Sequence, residues 1–538
     1  MAYFVLIVSA FLAFSAATAL RPGRRGVFAP LAFPVGWAAG ELPAQAMVIE
    51  AALLGYLAWW GWPRAAWTSD LVVAVALLVV AENLVLVAIA FYSRHIVRRS
   101  MQNAPIRPLE IARPGEDAFG SWWRTALQFP YHPRDMQLVS DVAYGPAPRH
   151  RLDVWRMSKT PLGAPVVFYL HGGSWTYGDK REQGRPMLHE FVRRGWVAVV
   201  INYRLAPGDP WPAQIEDATR ALYWIKRTIR TYGGDPDRVV VSGGSAGGHL
   251  AALLALSSED QTWHPAGALE VDWSVRGAMP FYGVLEMTGD QEHWRGLGWG
   301  IRRLLERHVV QRPYDGAEDL YRELSPYHRI HEGAPPFLVV QGVNDTLVDV
   351  QVARAFVTRF RAVAFAAAYY IELPSTQHAF DLTASPRTSA TTRAAVAFAE
   401  SVVAPRQLSA DLVKNYRVPP TRLEVEVDGE WLDARDGARG LGPFSVVTSD
   451  NPLSTSLHEI ENGARRAALL DQVRGRGLNV VRTRARGGEW PDEFGVALLS
   501  EDARLAIDLA RAWDQYAIYE VDENAVVVRS VASGEVLV

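Results

Sequence analysis

The sequence predicts a chain in three parts: an all-helical apolar start, a central α/β domain with a mostly parallel sheet, and a small α+β domain at the end. Two observations carry this reading. Before residue 93, three nearly uncharged stretches each approach the roughly 20 residues that an apolar helix needs to cross a bilayer core. Between residues 136 and 404, short β-branched runs alternate with stretches of helical periodicity, the pattern of a sheet covered on both faces. At 538 residues the chain also exceeds one ordinary core, so several domains are expected.

The apolar start comes first. Residues 3–20 carry no charge, 42–62 carry only Glu50 and 71–92 carry only Glu82, and each is expected to span a membrane. A cleaved signal peptide is the rival for the first stretch, because Ala17-Thr18-Ala19 has small-residue character, but a basic leader is missing and two more apolar runs follow. Residues 26–40 are also uncharged, yet Pro30 and Pro34 interrupt them, so a re-entrant or interfacial piece is expected there. Arg21, Arg24 and Arg25 follow the first span and Arg94, Arg98 and Arg99 follow the third. The positive-inside rule then places the N-terminus outside and everything after residue 93 in the cytoplasm, as for a protein of a bacterial inner membrane. Trp59, Trp60, Trp62 and Trp67 cluster at the opposite boundary, as an aromatic belt would. Glu50 and Glu82 lie within spans and are assigned no role.

Residues 101–135, with Pro105, Pro108, Pro114, Trp122 and Trp123, read as a juxtamembrane connector. In the central domain the strand candidates are RLDVW, PVVFYL, WVAVVIN, RVVVS, RGAMPFY and PFLVVQG. Helices are expected at 181–194, 211–231, 246–257, 349–363 and 387–403, and residues 284–333 are long enough to form a cap. Such sheets carry function at the carboxyl ends of their strands.

Composition narrows the chemistry. A net charge of −3 gives no basic surface for nucleic acid, and the absence of Cys excludes disulfides, thiolate nucleophiles and cysteine-ligated zinc. No His and carboxylate spacing resembles a metal site, and no cofactor is expected.

One motif stands out. Gly243-Gly244-Ser245-Ala246-Gly247 fits G-x-S-x-G between a strand and a helix, where a sharp turn lifts a serine hydroxyl above the sheet edge. A lone serine is a weak nucleophile, so a base and a group orienting that base should follow in the order Asp or Glu, then His. Asp345, in VVQGVNDTLVD after a strand, and His378, in LPSTQHAF after the strand-like YYIEL, satisfy that order. Asp349 and Asp381 compete for the acid role, but Asp349 suits a helix N-cap and Asp381 lies too close to His378 in sequence. HGGSW at 171–175 follows a strand where such enzymes place oxyanion donors, making the backbones of Gly172, Gly173, Ser174 and Ala246 the candidates. His171 and His249 read as scaffold rather than base.

With these residues in hand the chain resembles a known group. HGGSWTYGDK, NYRLAP, WPAQIEDA, GGSAGGHLA, NDTLVD and QHAF, in that order, resemble the α/β-hydrolase superfamily over roughly residues 136–404, and within it the hormone-sensitive-lipase-like esterases and the prenylcysteine methylesterases. The resemblance implies the α/β-hydrolase fold and a serine carboxylesterase or lipase-like activity on an ester. It departs in two places: HGGS stands where many members have HGGG, and GGS where many have GDS. After a linker at 404–410, the region from about 411 to 538 is similar to a small bacterial family of unknown function, through YRVP, TSDNPLS, GGEWPDEFGVALL and AWDQYAIY. There Asn451, Asn462, Trp490 and Gln515 are expected to hold the fold. Amide or formamide hydrolysis by the same triad, and a membrane protein that binds a ligand without turnover, remain the rival functions.

Overall fold

The computed structural model describes residues 2–22, 29–59, 66–102, 135–289 apart from 259 and 269–270, 300–403, and 422–536 apart from 449, 451–458, 476–477, 487–491, 500–502, 514, 516 and 532–535. The connector with Trp122 and Trp123, the linker at 404–410, and Arg24, Arg25, Trp60, Trp62, Asn451 and Trp490 lie outside these residues.

Four helices open the chain: α1 (Ala2–Leu20), α2 (Ala29–Glu41), α3 (Pro43–Trp59) and α4 (Ala66–Gln102). Among the described residues, α1 and α4 are each long and apolar enough to cross a bilayer, over Tyr3–Leu20 and Asp70–Met101. The shorter α3 meets that criterion only together with α2, from which it is bent by 84°. The bend falls between Glu41 and Pro43, whereas Pro34, expected to interrupt this stretch, lies within α2. Small side chains let the helices approach closely: Ala16 and Ala19 of α1 pack on Ala39 of α2 and Leu86 of α4. On the outside, Tyr3, Phe4, Ile7 and Phe11 of α1 and Leu77 and Leu84 of α4 are exposed, an apolar surface suited to lipid rather than water. Trp59, at the end of α3, is 87% exposed. Inside, Glu50 is fully buried and accepts the Ser9 hydroxyl at 2.8 and 3.0 Å, so this carboxylate has a partner within the bundle.

The central sheet has eight strands in the order β1-β2-β4-β3-β5-β6-β7-β8. They are β1 (Met136–Ala143), β2 (Arg151–Met157), β3 (Ala164–Leu170), β4 (Val197–Ile201), β5 (Gly234–Gly244), β6 (Gly277–Phe281), β7 (Phe337–Gly342) and β8 (Ala368–Leu373). Pairs from β4 through β8 are parallel, whereas β1 and β2 are antiparallel additions at one edge. Valines 166, 197, 199, 239 and 241 are completely buried, as continuous apolar strands between two helical layers must be. The helices are α5 (Arg185–Arg193), α6 (Ala213–Thr228), α7 (Ala246–Ala255), α8 (Val350–Val363) and α9 (Pro386–Val403). Two expected starts move inward. α5 begins at 185 rather than 181 because Gly184 is left-handed (φ 69°) and Asp179 ties back the Arg181 amide, and α6 begins at Ala213. Between β6 and β7, the described residues form short helices, Gly300–Leu304, Leu305–Val309, Glu318–Glu323 and Pro326–Arg329, and Leu305, Val309, Tyr321 and Leu324 join the core.

The last part is a seven-stranded antiparallel sheet of β9 (Arg422–Val427), β10 (Glu430–Asp433), β11 (Phe444–Thr448), β12 (Val480–Arg486), β13 (Glu493–Leu498), β14 (Ala517–Val521) and β15 (Val526–Ser530), in the order β10-β9-β12-β13-β11-β14-β15. It carries α10 (Ala434–Leu441), α11 (Glu459–Gly475) and α12 (Ala503–Ala512). Asn462 is buried, and buried Gln515 donates to Asp450 O (3.0 Å) while accepting the Thr448 hydroxyl (2.9 Å).

Candidate active site

The strand order turns back at β3, which lies between β4 and β5, and the loops leaving the carboxyl ends of β3, β5, β7 and β8 carry HGGSW, Ser245, Asp345 and His378.

At the end of β5, Ser245 holds φ 56° and ψ −120°, a conformation that a non-glycine residue keeps only when its surroundings fix it. Its amide donates to Phe281 O (2.9 Å) and its carbonyl accepts from His249 N (2.9 Å). The turn tolerates only glycine beside it: a Cβ on Gly247 would lie 2.0 Å from Leu170 O. This close approach sets the start of α7 against β3, and leaves the Ala246 amide in the first turn of the helix, where N–H groups have no intrahelical acceptor.

The loop after β3 wraps the serine. A Cβ on Gly172 would come within 3.2 Å of the Ser245 Cβ. Gly173, Ser174 and Trp175 then take three consecutive positive φ values of 119°, 52° and 59°. At Gly173 only hydrogen fits, since a Cβ would sit 2.1 Å from Tyr177 O. The Gly172 amide donates to Gln183 Oε1 (2.8 Å), so of the expected oxyanion donors this one is already engaged. The motifs shared with esterases lock the loop. Tyr203 of NYRLAP stacks on the His171 ring at 4.3 Å and donates to His171 O (2.8 Å), Asn202 bonds Asp179 (2.7 Å) and the Lys180 amide (2.7 Å), and Asp217 of WPAQIEDA holds Arg204 and His150. His171 donates from Nδ1 to Gly172 O (2.7 Å), and burial pulls its pKa down to about 4, so it is neutral. His249, likewise lowered to about 4 by burial, accepts from Trp175 Nε1 (3.2 Å) and donates to Leu324 O (2.7 Å). It ties the oxyanion loop, α7 and the cap together, and both histidines serve as scaffold.

Across the cleft, His378 Nδ1 donates to Asp345 Oδ2 at 2.8 Å, with both side chains buried. Asp345 is oriented by three further donors: Gln341 Nε2 (2.9 Å) and the amides of Leu347 and Val348 (2.8 Å each). Asp349 instead caps α8 through the Gln351 amide (2.9 Å). Asp381 binds the Tyr282 hydroxyl and does not orient His378. Burial raises Asp381 to about 6, with the Tyr282 bond acting in the opposite direction. Tyr282 escapes sequence reasoning although it directly follows β6. Its ring lies 4.7 Å from that of His378, and a side chain on Gly244 would run into its hydroxyl (2.6 Å), so it packs against both the serine turn and the imidazole. Also unforeseen are Asn344, Gln377, Phe33 and Trp37, which gather about the Asp345 and His378 loops although the first pair and the second stand more than 300 positions apart.

Fold and cleft together define an α/β-hydrolase with an esterase-type arrangement of loops. Residues 152–360 match the BD-FAE family model. Residues 447–518 match DUF3293, a family of unknown function. The "Probable carboxylic ester hydrolase LipM" of Mycobacterium tuberculosis is 44% identical over 274 residues, 50% of this chain and 63% of that protein. The isoprenylcysteine alpha-carbonyl methylesterase of Arabidopsis thaliana is 25% identical over 235 residues, 42% of this chain and 53% of that protein. The matches therefore span less than two thirds of these curated relatives. Among solved structures, esterase B of Lactobacillus rhamnosis aligns at 22% identity and TM-score 0.42, covering 52% of this chain and 92% of that one.

Proposed function

We propose that the chain is a membrane-anchored serine carboxylesterase, divided into a transmembrane region (1–100), a connector (101–135), a catalytic domain (136–404) on the cytoplasmic side and a C-terminal domain (411–538). The observations that carry this are the buried His378–Asp345 hydrogen bond of 2.8 Å and, at the carboxyl end of a strand of the same sheet, a serine held at φ 56°. Ser245 Oγ attacks the ester carbonyl while His378 Nε2 takes its proton. Asp345 accepts from Nδ1–H and so fixes the tautomer that leaves Nε2 basic, an arrangement whose acid–base part is worth about 10²–10⁴-fold. The amides of Gly173, Ser174 and Ala246 stabilise the tetrahedral oxyanion, each worth about 10²–10³-fold. His378 returns the proton to the leaving alcohol, and water, activated by the same histidine, releases the acid from the acyl-enzyme.

Lipophilic esters fit this location best, since apolar helices with outward-facing aromatic and aliphatic side chains adjoin the catalytic cleft. The similar proteins, an ester hydrolase and a methylesterase by name, support ester over amide. The test is labelling by a fluorophosphonate and hydrolysis of aryl esters of graded chain length in detergent. Labelling that persists in Ser245→Ala would overturn the mechanism, and faster cleavage of a matched anilide would overturn the choice of ester.

A further inference from the structure

Outside the sheet, the loops bearing the acid and the base are held by the N-terminal helices. Each residue that flanks Asp345 or His378 on the near side of these loops bonds to α1 or α2. Asn344 Nδ2 donates to Ala19 O (2.7 Å) and Leu20 O (3.1 Å), carbonyls of the last turn of α1 that have no intrahelical donor. Gln377 Nε2 donates to Ala32 O of α2 (3.2 Å), while its Oε1 accepts from the amides of Thr346 (2.9 Å) and His378 (3.1 Å), tying the two loops to each other and to the helix. Ala379 stands in the left-handed region at φ 55°, costly for a residue with a Cβ, and its carbonyl accepts the Trp37 indole N–H at 2.9 Å. Phe33, one turn earlier on α2, presents its ring edge-on to His378 at 6.0 Å and 75°. Farther along, fully buried Arg387 at the start of α9 pairs with Glu41 (3.0 Å) and donates to Gly40 O at the end of α2.

A helix that served only as an anchor would need none of these bonds around one imidazole. We propose that α2 is a positioning element of the active site, with Trp37 and Phe33 holding the His378 loop and ring in the orientation that serves Ser245. The helix thereby joins catalysis rather than tethering it. This inference rests on His378 acting as the base.

Strain explains why a bond to Ala379 O matters. The left-handed residue directly follows His378, so relaxing it rotates the peptide that carries the imidazole. A displacement of about 1 Å at the base can lower turnover by up to about 10²-fold.

The experiment uses the full-length protein in detergent, with a water-soluble short-chain aryl ester so that partitioning into micelles does not enter. Trp37→Phe removes only the indole donor, and Phe33→Leu keeps an apolar side chain but removes the ring. For Trp37→Phe the expected result is a fall in kcat of roughly tenfold or more with KM within about twofold, and a shifted acidic limb of the kcat–pH profile. Fluorophosphonate labelling of Ser245 should slow in parallel. Phe33→Leu should move in the same direction by less, and should confirm the effect if Trp37→Phe does not fold. A role confined to packing would lower the melting temperature and leave kcat and the pH profile of the folded protein unchanged, which would overturn the proposal. Failure of the wild-type protein to hydrolyse esters or label at Ser245 would overturn the hydrolase reading, and this inference with it. That outcome is distinguishable because it needs no variant.

Discussion

Ser245 and the HGGSW loop are secured from within the hydrolase domain, by Tyr203 on His171, by His249 between Trp175 and Leu324, and by glycines that let β3 and α7 touch. Asp345 and His378 stand on loops whose far sides rest on α1 and α2, some 300 residues earlier in the chain. On the proposed assignment, the nucleophile side is therefore framed by the hydrolase domain itself, whereas the base side borrows its frame from α1 and α2.

Four substitutions probe this contrast. The largest effect belongs to Ser245→Ala, expected to lower kcat by about 10⁶-fold with the fold intact, measured as hydrolysis against circular dichroism. Next, Asp345→Asn should cost about 10⁴-fold in kcat by stabilising the wrong imidazole tautomer. Asp381→Asn, which keeps an acceptor for Tyr282, should change kcat by less than about tenfold, an electrostatic effect on the order of one pKa unit. Equal losses in the two variants would show that the acid has been misassigned.

Arg387→Met tests the frame itself. It removes one partner of a fully buried ion pair and leaves Glu41 uncompensated, so unfolding free energy should fall by about 3–5 kcal/mol, read by thermal unfolding in detergent. If stability is unchanged, α2 is not held at that end.

The last effect is a pH dependence. Burial raises Asp381 to about 6 from an ordinary 3.8, so the folded protein binds this proton more tightly than the unfolded chain. The penalty of charging it is absent below about pH 4, grows as the pH rises toward 6 and is constant beyond. Relative to wild type, Asp381→Asn should therefore gain stability across that window, approaching about 3 kcal/mol, as measured by unfolding at a series of pH values. A flat difference would show that Asp381 is ionised in the fold at an ordinary pKa.

Much of the hydrolase domain was readable because its signals are local. Valine runs mark strands buried on both faces, and the glycines around Ser245 answer a steric demand within five residues. Order along the chain supplied Asp345 and His378, and helix-cap chemistry separated Asp349 from them. What escaped depends on contacts with no local signature. The uncharged stretch 26–40 with its prolines indicated a re-entrant piece, but nothing in its pattern says that Phe33 and Trp37 meet His378 and Ala379, more than 340 positions away. Tyr282 was legible only as the end of an apolar strand. Its pairing with Asp381 arises from two loops brought together by β6 and β8. The GDK and NYRLAP motifs carried family resemblance without revealing their task, which is to brace a loop of three successive left-handed residues.

One feature of α4 sets how this enzyme would experience its substrate. At 37 residues the helix is about 55 Å long, against about 30 Å of hydrocarbon. Its last turns do not fray into a tether, for Val97 and Met101 are buried with the core of the hydrolase domain beside α9. On the proposed membrane-anchored reading, the domain thus stands on a stiff post that keeps its cleft at one height above the bilayer. For such a molecule the relevant concentration is molecules per unit area of membrane, and a lipid ester crowded out by inert neighbours becomes scarce even when its amount in the flask is unchanged.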